Sequence, residues 1–158
     1  MFSQFTRSFD LPAPVPKLLR PLGAWAAMAV LAVANGVLRE LAIVPRIGEY
    51  AGHVVSTGLL VGAILAVAYA YFARTPDAYT TRELAAIGVG WTVLTVGFEF
   101  LVGYAEGTPV SVTLGQYDVL AGQVWILVPL TLVAAPLLFG RSRGAGGGGD
   151  GAAAGGAE

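Results

Sequence analysis

The stretch WTVLTVGFEFLVGY, Trp91 to Tyr104, decides how this chain is to be read. It is apolar enough to dissolve in lipid, yet it carries one carboxylate, Glu99, between Phe98 and Phe100. A charge in such a run is costly and is kept only where something stabilises it or uses it. Working outward, the apolar character extends over about Leu84–Ala105, close to the ~20 residues a helix needs to cross a bilayer. Three further runs qualify, about Leu22–Val44, Ala51–Ala73 and Val119–Phe139. Between them lie breakers and charges: Pro45, Arg46 and Gly48, then Arg74, Pro76 and Asp77, then Glu106, Gly107 and Pro109. The expected fold is all-α, an integral membrane four-helix bundle over residues 21–139.

Composition agrees. Only 12% of the 158 residues are charged and the mean hydropathy is +0.71, whereas soluble domains average about 25% charged. A net charge of −1 leaves no basic surface for nucleic acid. With no cysteine and one histidine, disulfides, thiolate metal sites and a thiol nucleophile are excluded. Residues 1–20, with Pro12, Pro14 and Pro16 and several phenylalanines, read as an interfacial lead-in. Residues 140–158 read as a disordered Gly/Ala-rich tail. Lys17, Arg20 and the apolar run to AVAN, Ala32–Asn35, share features with a secretory signal. The run continues through Val44, however, and favours a full span.

Seven of the nine Lys and Arg residues fall on one side of the expected spans, leaving Arg39 and Arg46 on the other. The positive-inside rule then puts both termini in the cytoplasm. In that topology Asn35, Arg39, Glu40, His53, Ser56, Thr57, Thr95, Glu99, Asp118 and Gln123 all fall in the outer half. At 1.5 Å per residue Glu99 lies ~22 Å along its helix from Leu84, inside the hydrocarbon.

The expected pocket therefore gathers Glu99, Arg39, His53, Asn35, Glu40, Gln123, Ser56 and Asp118. Arg39 is the leading partner of Glu99, because its planar fork holds a carboxylate and stays charged. Simpler roles stand beside these. Arg39 and Glu40 can snorkel to headgroups, and serines and threonines can bond their own helix backbone. Asn35 and Gln123 can act as interhelical glue, and Gly58, Gly62, Ala66 and Ala70 form a small-residue face suited to close packing. His53 and Ser56 lack an accompanying acid or oxyanion hole, and no carboxylate spacing singles out a metal site. No cofactor motif is present.

The motifs NGVLRE (Asn35–Glu40), HVVST (His53–Thr57), FEF (Phe98–Phe100) and GQVW (Gly122–Trp125) resemble a group of small four-span membrane proteins of bacteria and archaea. The resemblance covers about residues 21–139 and implies the span count without implying an activity. This chain has Gln123 where the resemblance leads one to expect arginine. Binding or translocation of a small polar solute, ion or proton is the first expectation. An enzyme at the outer leaflet using Glu99, His53 or Glu40, and a structural subunit, are the alternatives. Expected partners are membrane lipids, the solute and a further copy of the chain, since the inner half offers no polar pathway.

Overall fold

A computed structural model describes residues 16–118 and 122–141. Most of the N-terminal lead-in, the start of the expected fourth span and nearly all of the Gly/Ala tail lie outside them. Every regular element among the described residues is helical. Three helices are long and apolar enough to cross a membrane.

The first is a continuous helical stretch, Lys17–Ile47. It opens with a 3-10 turn (Lys17–Leu19), runs through α1 (Pro21–Leu38), widens into a π-helical turn (Arg39–Ile43) and closes as α2 (Val44–Ile47). Pro45 explains the widening. Proline has no N–H and its ring crowds the carbonyl four residues back, so an α-helical ladder cannot pass it unchanged. The Val44 N–H instead donates to the Arg39 carbonyl, five residues back.

Gly48, with φ +84°, reverses the chain in a single residue. α3 (Glu49–Arg74) then runs back along α1. The Asn35 amide donates to the Ser56 carbonyl at 3.0 Å, fixing the antiparallel register. Gly52 lets the hairpin close, since a Cβ there would lie 2.8 Å from Val44 Cγ2.

α4 (Thr81–Ala105) starts on a capping box. Thr80 Oγ1 accepts from the Glu83 N–H at 3.3 Å, and Glu83 Oε2 accepts from the Thr80 N–H at 2.7 Å. Glu83 also takes Lys17 at 3.0 Å, and Asp77 takes Arg20 at 2.7 Å, tying this helix start to the base of α1. Two indoles join α1 to α4 above that base. Trp91 Nε1 donates to the Pro21 carbonyl at 3.1 Å, and Trp25 Nε1 donates to Thr95 Oγ1 at 3.1 Å.

After α4, Gly107 (φ +73°) turns the chain into α5 (Val110–Gly115), which folds back so that Thr113 Oγ1 lies 3.2 Å from the Cβ position of Gly103. α6 (Leu127–Phe139) follows. It packs between α3 and α4, antiparallel to α4, where a Cβ on Gly88 would lie 2.6 Å from the Val133 carbonyl oxygen.

Two expectations change here. Among the described residues of the run at 119–139, the α-helix covers Leu127–Phe139, 13 residues or ~20 Å at 1.5 Å each, short of a full span. Pro129 is the reason: it sits in the first helical turn, where its missing N–H costs nothing, and disfavours helix before it. Gly122, at φ +80°, turns the chain just upstream. The stripe Gly58, Gly62, Ala66, Ala70 is not a contact within the chain. No atom lies within 4 Å of a Cβ placed at Gly58 or Gly62. α3 instead buries the neighbouring face, Leu60, Ile64, Ala68 and Phe72.

Candidate functional site

Past Trp25 and Thr95 the seam between α1 and α4 opens into a cavity of about 660 Å³. Its origin is legible residue by residue. α1 presents Ala29, Ala32 and Gly36, spaced three and four apart on one face, toward Glu99, Val102 and Glu106 of the α4 side. Side chains this small cannot fill the gap. Leu60 and Ile64 from α3 and Val128 and Leu132 from α6 form an apolar floor, while Thr113 and Gln116 from the α5 region cover the top. Arg39 and Glu40, carried by the π-helical turn, stand at the mouth.

The charges pair differently from the sequence expectation. Among the described residues no ion pair joins Arg39 to Glu99. Arg39 Nη2 lies 2.9 Å from Glu40 Oε1 and its Nε donates to the same oxygen at 3.0 Å. Glu40 is the next residue along the widened turn, so the pair forms locally before any neighbouring helix is reached. Arg39 Nη1 makes a long 3.5 Å contact to His53 Nδ1. A guanidinium has no acceptor, so in a hydrogen bond between them Arg39 donates and Nδ1 accepts. The His53 Nε2 is buried with no hydrogen-bond partner.

Glu99 is half-buried, and its Oε2 accepts a hydrogen bond from the Tyr117 hydroxyl. The Trp125 indole lies within hydrogen-bonding reach of both Glu99 and Tyr117. Its N–H, however, is buried without a partner in hydrogen-bonding geometry. The Trp125 ring also lies 6.2 Å from that of His53.

Of the expected pocket residues, Glu99, Arg39 and Glu40 line the cavity. His53 stands behind Arg39 and Trp125. Asn35 is spent on the α1–α3 register, and Ser56 Oγ donates to its own helix at the His53 carbonyl, 3.1 Å away. Asp118 and Gln123 belong to the turns after α5, where the Gln123 N–H donates to the Asp118 carbonyl at 3.1 Å. Neither lines the cavity. The residues missed from sequence are Tyr117, Glu106, Gln116 and the two indoles Trp25 and Trp125. Tyr117 carried no local signal, because only the fold-back of α5 brings it to a residue 18 positions away. Ala29, Ala32 and Gly36 did carry one, as a small-residue face on the first span.

No three His, Asp or Glu side chains among the described residues come together as metal ligands. Comparison with known proteins finds no family model, no curated protein and no solved structure that matches the chain.

Proposed function

We propose that this chain is an integral membrane protein that binds a small polar or ionic solute in a cavity facing the outer side, with Glu99 as the ligand-facing carboxylate. One observation carries the reading. Glu99 sits in the wall of a cavity of about 660 Å³, where its carboxylate accepts from Tyr117 and pairs with no cation among the described residues. Ligand sites fall in the range ~300–1,000 Å³, and an ionisable group within a membrane helix marks a functional site by default.

In this reading α1, α3, α4 and α6 form a four-helix membrane domain with both termini cytoplasmic. Charge supports the orientation. Lys17, Arg20, Arg74, Arg82 and Arg141 belong to one end of the molecule, accompanied by Asp77 and Glu83. The other end has Arg39 and Arg46 against Glu40, Glu49, Glu99, Glu106 and Asp118. The cation-rich end is the cytoplasmic one by the positive-inside rule. Arg39, held by Glu40, guards the entrance. Toward the cytoplasmic end Phe72, Leu84 and Trp91 are buried and pack the core, which favours a binding site over an open pore. Translocation then requires α1 and α4 to part at Trp91 and Trp25.

The absence of cysteine makes the test direct. Ala32→Cys lines the cavity, whereas Val30→Cys, at 70% exposure, faces away from the core. A membrane-impermeant cationic thiosulfonate applied to intact cells should modify Ala32→Cys at least tenfold faster than Val30→Cys. Adding Glu99→Gln should slow that cationic reagent and leave a neutral one unchanged. An inert cysteine at position 32 overturns the reading.

A further inference from the structure

Resting on that reading of the cavity, we infer that its occupant is a cationic amphiphile: an ammonium head on an alkyl chain, entering sideways from the outer leaflet between α1 and α4. The depth of the site is the first reason. Its lining on the first helical stretch runs from Glu40 at the mouth to Trp25, ~22 Å along the helix, the length of a long alkyl chain and far more than an ion needs. Below Glu99 the walls are Met28, Leu60, Ile64 and Leu132, which give water nothing to bond and suit methylene groups.

Charge chooses the head. Glu40, Glu99 and Glu106 line the upper cavity against a single cation, Arg39, which is already engaged by Glu40. Glu99 and Glu106 are left to attract a positive group and repel a carboxylate or phosphate. Trp125 adds an aromatic face beside Glu99, favourable to an ammonium.

The entrance is lateral. Val37 and Leu41 line the cavity while remaining 53% and 76% exposed on the outside of the helix. The edge of the cavity is thus continuous with the apolar surface that faces lipid. Trp91 and Trp25 hold α1 against α4 only at the closed end.

The test uses the full chain in a non-ionic maltoside micelle, read by quenching of tryptophan fluorescence with a bromine at the end of an alkyl chain. The probe is 11-bromoundecyl-trimethylammonium, with 11-bromoundecyl sulfate as its anionic twin and tetramethylammonium as the head alone. Saturable quenching by the cation is expected, with half-saturation at least tenfold lower than for the sulfate. Most of it should vanish in Trp25→Phe, because the bromine reaches the deep end. Glu99→Gln should raise half-saturation about tenfold. Should that variant fail to fold, Glu106→Gln, at an exposed position, should raise it about threefold. Ala32→Leu should abolish saturation by filling the cavity.

Equal affinity for the sulfate overturns the choice of head. Displacement of the brominated cation by tetramethylammonium at concentrations as low as those of dodecyl-trimethylammonium overturns the amphiphile. With position 32 reactive in water, either result leaves solute binding standing. An inert position 32 removes both proposals together.

Discussion

A carboxylate inside an apolar helix needs a proton, a counter-charge or a hydrogen-bond donor, and Glu99 has taken the donor, Tyr117. Arg39 was the partner that sequence suggested, since it is the nearest residue able to grip a carboxylate with two N–H groups. It is drawn instead to Glu40 by adjacency within the π-helical turn. The two contacts should differ in weight. A double-mutant cycle of Tyr117→Phe with Glu99→Gln, read by denaturant unfolding in detergent, should give a coupling of ~1–3 kcal/mol, as for a hydrogen bond to a charged, partly buried group. A coupling near zero would show that the bond is not formed in the membrane. Glu40 is 57% exposed, so Glu40→Gln should cost less than ~1 kcal/mol in the same unfolding experiment.

At the scale of elements, glycine and proline decide the packing. α4 and α6 approach so closely at Gly88 that a methyl group would strike the Val133 backbone. Backbone cannot swing aside as a flexible side chain can. Gly88→Ala should therefore lose ~1–3 kcal/mol and lower the melting temperature. Gly62→Ala has open space around it and should be neutral or gain up to ~1 kcal/mol from helix propensity. If both variants melt alike, the close approach of α4 to α6 is wrong. Pro45 was visible in the sequence as a residue between spans, whereas Pro129 lay inside the expected fourth span. Their effects are more specific: one widens the first helix at the cavity mouth, and the other delays the last helix until Leu127.

Taken as a whole, the molecule is polarised, with cations around the entry and exit of the described chain and acids around the cavity. The orientation proposed from that asymmetry can be read with single cysteines. Thr108→Cys, beside the cavity mouth, should label from outside intact cells, and Ala78→Cys, in the loop before α4, only after the cells are opened. Reversed labelling would place the cavity on the cytoplasmic side. The long apolar helices, the end-to-end charge asymmetry and the nearness of Glu99, Arg39 and Glu40 to one another were all legible in advance. Apolar run length and charge position are local properties that a single chain carries without folding. Asn35, Ser56, Asp118 and Gln123 shared the same level along the bundle axis but not the same azimuth, so the sequence could not separate them from the cavity.

The sequence by itself determined that the chain is built of apolar segments of about bilayer length and that the polar side chains gather toward one end, because hydropathy and charge are sums over neighbours along the chain; it counted four such segments, and the structure has three helices of that length. The partner of Glu99, the gap between α1 and α4 and the shortness of α6 were decided only by tertiary structure. Each depends on which helix faces meet: Ala29, Ala32 and Gly36 make a cavity only opposite Glu99, and Tyr117 reaches that carboxylate only because α5 folds back over it.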